Sequence, residues 1–255
     1  MKYKMMENGI GYLRILSFSQ ATTREAKAAL REFKKQEMKG LVLDLRNNPG
    51  GLLKQSVDMS DLFLSGGKVI VSTRGRTDDQ NSKFMSHGAG SYTEFPIVVL
   101  INAGSASASE IVAGALQDLN RAVIVGTQSF GKGSVQTIRQ LSDGAGLSLT
   151  TARYYTPSGK MIHGIGIKPD IEVEFEKPKK KDEDEIKPIR EKELMRNFNG
   201  LPEETKKPEK DSKKEKDLPD RRKIYDLEKD NQLRRAVEVL KTWEIFQAIK
   251  LKKAS

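Results

Sequence analysis

Apolar residues in the first 175 positions fall into short runs whose spacing alternates between strand and helix. Leu41-Val42-Leu43-Asp44-Leu45 and Ile97-Val98-Val99-Leu100-Ile101 are nearly continuous, as in strands covered on both faces. Gly9-Ile10-Gly11-Tyr12-Leu13-Arg14-Ile15 alternates like a strand, and Val69-Ile70-Val71 and Val123-Ile124-Val125 read as shorter ones. Between them the period lengthens. Thr22-Thr23-Arg24-Glu25 has the form of a capping box, and Ala26, Ala29, Leu30 and Phe33 follow at helical spacing, with Gly40 as the expected stop. Residues 52–64 predict a second helix, and Glu110 to Leu119 a third, through Ile111, Val112, Ala115, Leu116 and Leu119. Residues 135–141 and 147–155 predict a hairpin around Asp143-Gly144-Ala145-Gly146. This alternation predicts an α/β core with helices packed on a largely parallel sheet.

Beyond residue 175 the pattern changes. More than half of residues 176–255 are charged, so the segment cannot bury a core of its own. We divide the chain into a core at 1–175, a charged linker expected to be disordered at 176–220, and a C-terminal helix at 221–255. Leu233, Ala236, Val237, Leu240, Trp243, Ile245 and Phe246 form the apolar stripe of that helix, and the Trp243 face is expected to dock. The formal net charge of +10 raises the question of nucleic acid. The basic residues alternate with acids, as in Lys179-Lys180-Lys181-Asp182-Glu183-Asp184-Glu185, so no uncompensated patch forms and no nucleic-acid partner is expected. No cysteine is present, which excludes disulfides, thiolate metal sites and a cysteine nucleophile. No apolar run approaches the ~20 residues of a membrane span, so no stable membrane insertion is expected. Met1-Lys2-Tyr3-Lys4 has no signal-peptide pattern, and the chain as it stands is expected in the cytoplasm.

Candidate chemistry gathers in three loops. Gly104-Ser105-Ala106-Ser107-Ala108-Ser109-Glu110 follows a buried strand and opens a helix, which leaves backbone N–H groups free to meet a ligand. Phe130-Gly131-Lys132-Gly133-Ser134-Val135-Gln136 sets a lysine between glycines after another strand. Together they suggest a serine nucleophile with a lysine base. Such a lysine works only when neutral, which requires burial to lower its pKa from ~10.4 toward ~7–8. The neighbours Val125, Phe130 and Val135 allow that, while a surface lysine in a glycine loop is the plainer reading. Gly126 to Lys132 also has phosphate-loop spacing, but Gly133 stands where that motif needs Ser or Thr and a strand follows in place of a helix. Asp44-Leu45-Arg46-Asn47-Asn48-Pro49-Gly50-Gly51 reads equally as a strand-ending turn or as a source of N–H donors for an oxyanion. Of the two histidines, His163 lies in the loop Met161 to Gly166 with no acid partner nearby and is read as structural, and His87 is read as a loop residue.

From Glu7 to Phe175 the chain resembles the catalytic core of the carboxyl-terminal processing (tail-specific) serine proteases, which have a Clp-protease/crotonase-like fold. The resemblance rests on Gly9-Ile10-Gly11-Tyr12 with Phe18, on Leu43 to Gly51, on Gly104 to Glu110 and on Phe130 to Gln136, in that order. Tyr155-Thr156-Pro157-Ser158-Gly159-Lys160 and Gly166-Ile167-Lys168-Pro169-Asp170 match later strands of the family. It implies Ser107 as nucleophile, Lys132 as general base, Gln136 orienting the lysine, and the N–H groups of Ala108, Gly50 and Gly51 lining an oxyanion hole. It implies endopeptidase cleavage near the C-termini of protein or peptide substrates through an acyl-enzyme, with no metal and no organic cofactor. By the same resemblance the location is the periplasm or cell envelope, and a homo-oligomer is compatible with it. Family members carry a signal sequence, a helical region and a PDZ domain before this core, whereas this chain opens at the end of that module. Two other readings follow: a non-catalytic subunit that binds peptide or assembles with partners, and a crotonase-type acyl-CoA enzyme, which leaves the serine and lysine motifs without a role.

Overall fold

The computed structural model describes residues 1–88, 92–176, 227 and 229–254. Its centre is a six-stranded sheet of β1 (Lys2–Met5), β2 (Ile10–Arg14), β3 (Gly40–Asp44), β6 (Ile97–Ile101), β7 (Val123–Gly126) and β10 (Ile171–Glu172), in that spatial order. Only β1 runs antiparallel; β2 through β10 pair in parallel, with Leu41 opposite Ile97 and Val98 opposite Val123. Parallel neighbours need crossovers. The first three are supplied by α1 (Thr22–Lys35), α2 (Leu53–Asp61) and α3 (Ala108–Asp118), and the last, from β7 to β10, passes through the second sheet. A second, antiparallel sheet is ordered β5 (Ser82–Met85), β4 (Val69–Gly75), β9 (Gly146–Tyr155) and β8 (Ser134–Gln140). The fold is therefore the mixed α/β architecture expected from the alternating pattern.

The central strands are covered on both faces, which explains their unbroken apolar runs. On one face Leu41, Leu43, Val99 and Ile101 join Leu30, Phe33, Met59, Phe63, Ile111 and Val112 in the main core. On the other, Tyr12, Val42, Val98, Leu100 and Val125 meet Leu233, Ala236, Val237 and Leu240 of a terminal helix, α4 (Asn231–Ala254). Without α4 a row of β-branched and aromatic side chains would face water.

Several details differ from the sequence reading. Thr22 is the first residue of α1, not its cap; its Oγ1 accepts from the Ser19 N–H at 2.9 Å and donates to the Ser17 carbonyl at 3.2 Å, closing the preceding turn. Helix α1 stops at Gln36–Glu37, where Glu37 takes φ 54°, and Gly40 opens β3 instead. Strands β1 and β5 escaped the sequence reading because they are short and mostly exposed, without alternation to mark them. The docked face of α4 is Leu233, Ala236, Val237 and Leu240, whereas Trp243 is 51 % exposed. Of the expected linker at 176–220, all but Glu176 lies outside the described residues.

Candidate active site

Strands β3, β6 and β7 are neighbours, so the loops leaving their carboxyl ends meet, the usual place for a site in a parallel sheet. The loop after β6 carries the three serines. Ser105 is buried, its hydroxyl donating to the Leu45 carbonyl at 2.9 Å and accepting from the Asn102 N–H at 3.0 Å. Ser109 is buried too, donating to the Asn48 carbonyl at 2.9 Å. Both hydroxyls stitch this loop to the turn after β3. Ser107 is half-buried at the N-cap of α3, with φ 56° and ψ −112°. A non-glycine residue held there costs of order 1–3 kcal/mol and persists only when its surroundings enforce it.

What enforces it is Glu110, a residue to which the sequence reading assigned no role. Its fully buried carboxylate accepts from the Ser107 N–H at 2.8 Å and the Lys132 N–H at 2.9 Å on Oε2. On Oε1 it accepts from Ser129 Oγ at 2.5 Å and the Gly131 N–H at 2.7 Å. One oxygen thus holds the main chains of the serine and the lysine, 22 residues apart in sequence from Glu110 on the lysine side. Burial pushes the Glu110 carboxyl up to about 7, against these four donors, which favour the ionised form. A signal for it was present, since Ser107-Ala108-Ser109-Glu110 has the S-x-x-E spacing of a capping box. The loop after β7 makes one more tie, Phe130 N–H to the Ser105 carbonyl at 3.0 Å.

Lys132 itself is exposed, contrary to the buried lysine the sequence reading required. Gly131 takes φ 98°, and the Gly131 carbonyl accepts from Gly133 and Gly164, so the main chain of this loop is turned inward while the lysine side chain stays in water. Gln136 is also exposed, the third residue of β8, just after the register shift between Val135 and Gln136 in its pairing with β9.

The turn after β3 lies against the serine loop. The Asn48 carbonyl accepts from the Ala106 N–H at 3.0 Å, and Asn47 and Asn102 exchange two hydrogen bonds, at 2.9 and 3.0 Å. Gly50 has φ 100°, and a Cβ there would lie 2.8 Å from Ser107 Cβ and 2.9 Å from the Ala108 N, so only glycine allows this approach. The Gly50 N–H donates to Asn48 Oδ1 at 2.9 Å, which commits it to the turn itself. Gly51, with φ 143°, pairs with Phe18, whose flanking bonds run through the Gly50 carbonyl and the Leu52 N–H and so leave the Gly51 N–H out of the ladder. Ala108 is the first residue of α3, where a helix has no internal acceptor for the N–H. The structure therefore brings Ser107, Ala108, Gly50, Gly51 and the Lys132 main chain into one cluster.

The turn is anchored at its first residue. Arg46, 6 % exposed, donates from Nε and Nη2 to Asp44 at 3.0 and 2.7 Å. It donates from Nη1 and Nη2 to Asp230 at 2.9 and 2.7 Å, and from Nη1 to Gln232 Oε1 at 3.0 Å. Burial alone would raise the Asp44 carboxyl; the Arg46 guanidinium, with help from the Tyr12 hydroxyl at 2.7 Å, holds it below the usual range instead.

A serine-bearing strand–turn–helix, a glycine-flanked lysine loop and a glycine turn meet in a two-sheet α/β frame, a site of the hydrolase class. The sequence model of peptidase family S41 matches residues 9–173, and the chain belongs to that family. It is similar to the carboxy-terminal-processing protease of Bartonella bacilliformis, 51 % identical over 209 residues that make up 80 % of this chain and 48 % of that one. It is 48 % identical over 165 residues to the carboxyl-terminal-processing protease of Synechocystis sp., covering 65 % of this chain and 38 % of that protein. Among solved structures, the photosystem II D1 C-terminal processing protease superposes with a TM-score of 0.61 at 38 % identity, over 67 % of this chain and 45 % of its own. The chain thus spans less than half the length of each of these relatives.

Proposed function

We propose that this domain is a serine endopeptidase that works through a Ser107–Lys132 dyad and an acyl-enzyme. The observation that carries the proposal is the shared Glu110 carboxylate, which ties the main chain of the serine to that of the lysine. A serine hydroxyl becomes nucleophilic only with a base in reach, and neutral lysine is such a base. In the first step Lys132 Nζ takes the Ser107 Oγ proton as Oγ bonds to the scissile carbonyl carbon. Negative charge then collects on the carbonyl oxygen, and the Ala108 N–H meets it together with an N–H from the Gly50-Gly51 turn, where Gly51 is the better placed donor. Lys132 passes its proton to the departing amine, leaving an ester on Ser107. A water gives a proton to Lys132 as its oxygen bonds to the acyl carbon. The bond from that carbon to Ser107 Oγ breaks, and Lys132 returns the proton to Oγ, releasing the acid and restoring the serine. Gln136 is proposed to orient the lysine from the start of β8.

Exposure of Lys132 adds a condition. An amine surrounded by water is a poor base near neutrality, so the peptide laid across the site has to displace that water. The relatives are named for carboxyl-terminal processing, and on that basis the proposed substrates are proteins and peptides cut near their C-termini. The proposed location, the periplasm or cell envelope, rests on the family resemblance alone. The same exposed lysine is what favours the second reading, a subunit that binds peptide without turning it over. A fluorophosphonate probe separates the two. Labelling of the chain that is lost in Ser107→Ala but kept in Ser105→Ala supports the peptidase; absence of labelling in the unaltered chain leaves the binding subunit.

A further inference from the structure

All five N–H donors of the Arg46 guanidinium are engaged, and three of the five bonds come from residues at the start of α4. Asp230 lies 184 residues from Arg46 in sequence, and Gln232 lies 186. Both stand beyond residue 173, where the family match ends. Asp230 has a second task, since its Oδ1 also accepts from the Leu233 N–H at 2.9 Å and so caps α4. Gln232 likewise reaches two ways, donating from Nε2 to the Val173 carbonyl at 2.7 Å just past β10. The start of α4 is thereby bolted both to Arg46 and to the last strand of the sheet.

Arg46 opens the turn that holds Gly50 and Gly51. From it the chain passes through Asn47, at φ 56°, to Asn48, whose side chain spans the Ile15 carbonyl at 2.9 Å and the Gly50 N–H at 2.9 Å. No slack is left in this path. If the outer carboxylate goes, a buried guanidinium keeps one carboxylate, Asp44, and the Gln232 amide oxygen, and has two unanswered N–H groups. Such a group turns toward water or other acceptors, and the turn that begins at it moves as well.

We infer that Asp230 and Gln232 are positioning residues for the reaction: by saturating Arg46 they hold the Asn47–Gly51 turn in register with Ser107, making α4 part of the active-site scaffold. The inference rests on the peptidase reading of the site, and the test separates the two. The full-length chain is prepared unaltered and as Asp230→Asn, Asp230→Glu, Gln232→Ala, Leu240→Ala and Ser107→Ala. Asp230→Asn keeps the shape of the side chain and removes its charge. Leu240→Ala weakens the docking of α4 two turns away from Arg46 and touches none of these bonds. The readouts are amide hydrogen exchange over residues 46–52, the rate of Ser107 labelling by a fluorophosphonate, and the thermal midpoint.

Asp230→Asn is expected to raise exchange in 46–52 and to slow labelling by about tenfold to a hundredfold, the scale of a displacement near 1 Å at a reacting centre. Gln232→Ala should move both in the same direction by less, and Asp230→Glu should restore most of the labelling. Leu240→Ala should lower the thermal midpoint yet leave exchange in 46–52 and labelling near those of the unaltered chain. Unchanged exchange in Asp230→Asn overturns the inference, whatever the labelling does. An equal loss of labelling in Leu240→Ala also overturns it, because helix docking alone would then be the cause. Raised exchange in Asp230→Asn, with an unaltered chain that no probe labels, upholds the coupling and removes only the peptidase reading.

Discussion

Three serines within five positions behave differently because their partners differ. Ser107 carries the strained backbone and is the residue whose loss should abolish labelling. Ser105 and Ser109 hold the serine loop to the turn after β3 through buried bonds to the Leu45 and Asn48 carbonyls. Each replaced by alanine should lower stability by about 1–3 kcal/mol while keeping Ser107 reactive, as urea unfolding alongside probe labelling will measure. Glu110 makes a pH prediction. The folded chain holds its proton up to about 7, whereas the unfolded chain releases it near 4.5. Between those values the folded state binds more protons, so the Glu110 contribution to stability is greatest below 4.5 and declines as pH rises toward 7. The stability difference between the unaltered chain and Glu110→Gln should therefore fall across that window and level off above it. A flat difference would mean that the carboxylate ionises normally. Glu110→Gln should also slow labelling, because an amide offers N–H groups where two donors now converge on each carboxylate oxygen.

At the scale of elements, the two turns after β3 and β6 act as one unit, and the glycine between them is the tightest point. Gly50→Ala places a methyl against the Ser107 Cβ and the Ala108 N and forces φ 100° on an L residue. It should abolish probe labelling and also lower the urea midpoint, since Gly50 is buried and its new Cβ would press on the main chain of the serine loop. Within this chain, helix α4 is anchored on the core by Leu233, Ala236, Val237 and Leu240, and not by Trp243. Leu233 is fully buried, and Leu233→Ala should cost about 2–5 kcal/mol in unfolding experiments. Trp243, half exposed, should tolerate alanine within about 0.5 kcal/mol, the range of ordinary surface changes. A large loss at Trp243 together with a small one at Leu233 would place the docked face where the sequence pattern first suggested it.

For the molecule as a whole, α4 closes the open face of the central sheet and supplies the outer carboxylate of the Arg46 network. A chain ended at Phe175 should expose Tyr12, Val42, Val98, Leu100 and Val125 together, bind a hydrophobic dye such as ANS, and associate in solution. A dye-free, monodisperse truncated chain would show that this face needs no cover. Much of this architecture was legible from pattern, because buried parallel strands are written as unbroken apolar runs and their crossover helices as a clear 3.6-residue period. The serine loop, the glycine-flanked lysine and the glycine turn were legible as candidates as well, since each sets a particular residue type at a particular point in its loop. What pattern could not convey was which of these groups would share an atom. Glu110 reads as a helix-cap acid until the loop after β7 folds over it, and Arg46 reads as one charge beside Asp44 until Asp230 returns from 184 residues away. Exposure was equally out of reach, because Val125 and Phe130 beside Lys132 in sequence do not say which way a glycine-flanked side chain will leave the loop. The sequence by itself determined the elements and the chemical inventory, which depend on local period and residue type. Tertiary structure alone decided the shared carboxylate, the filled guanidinium and the water around the lysine, because each is a meeting of distant segments whose burial no single segment contains.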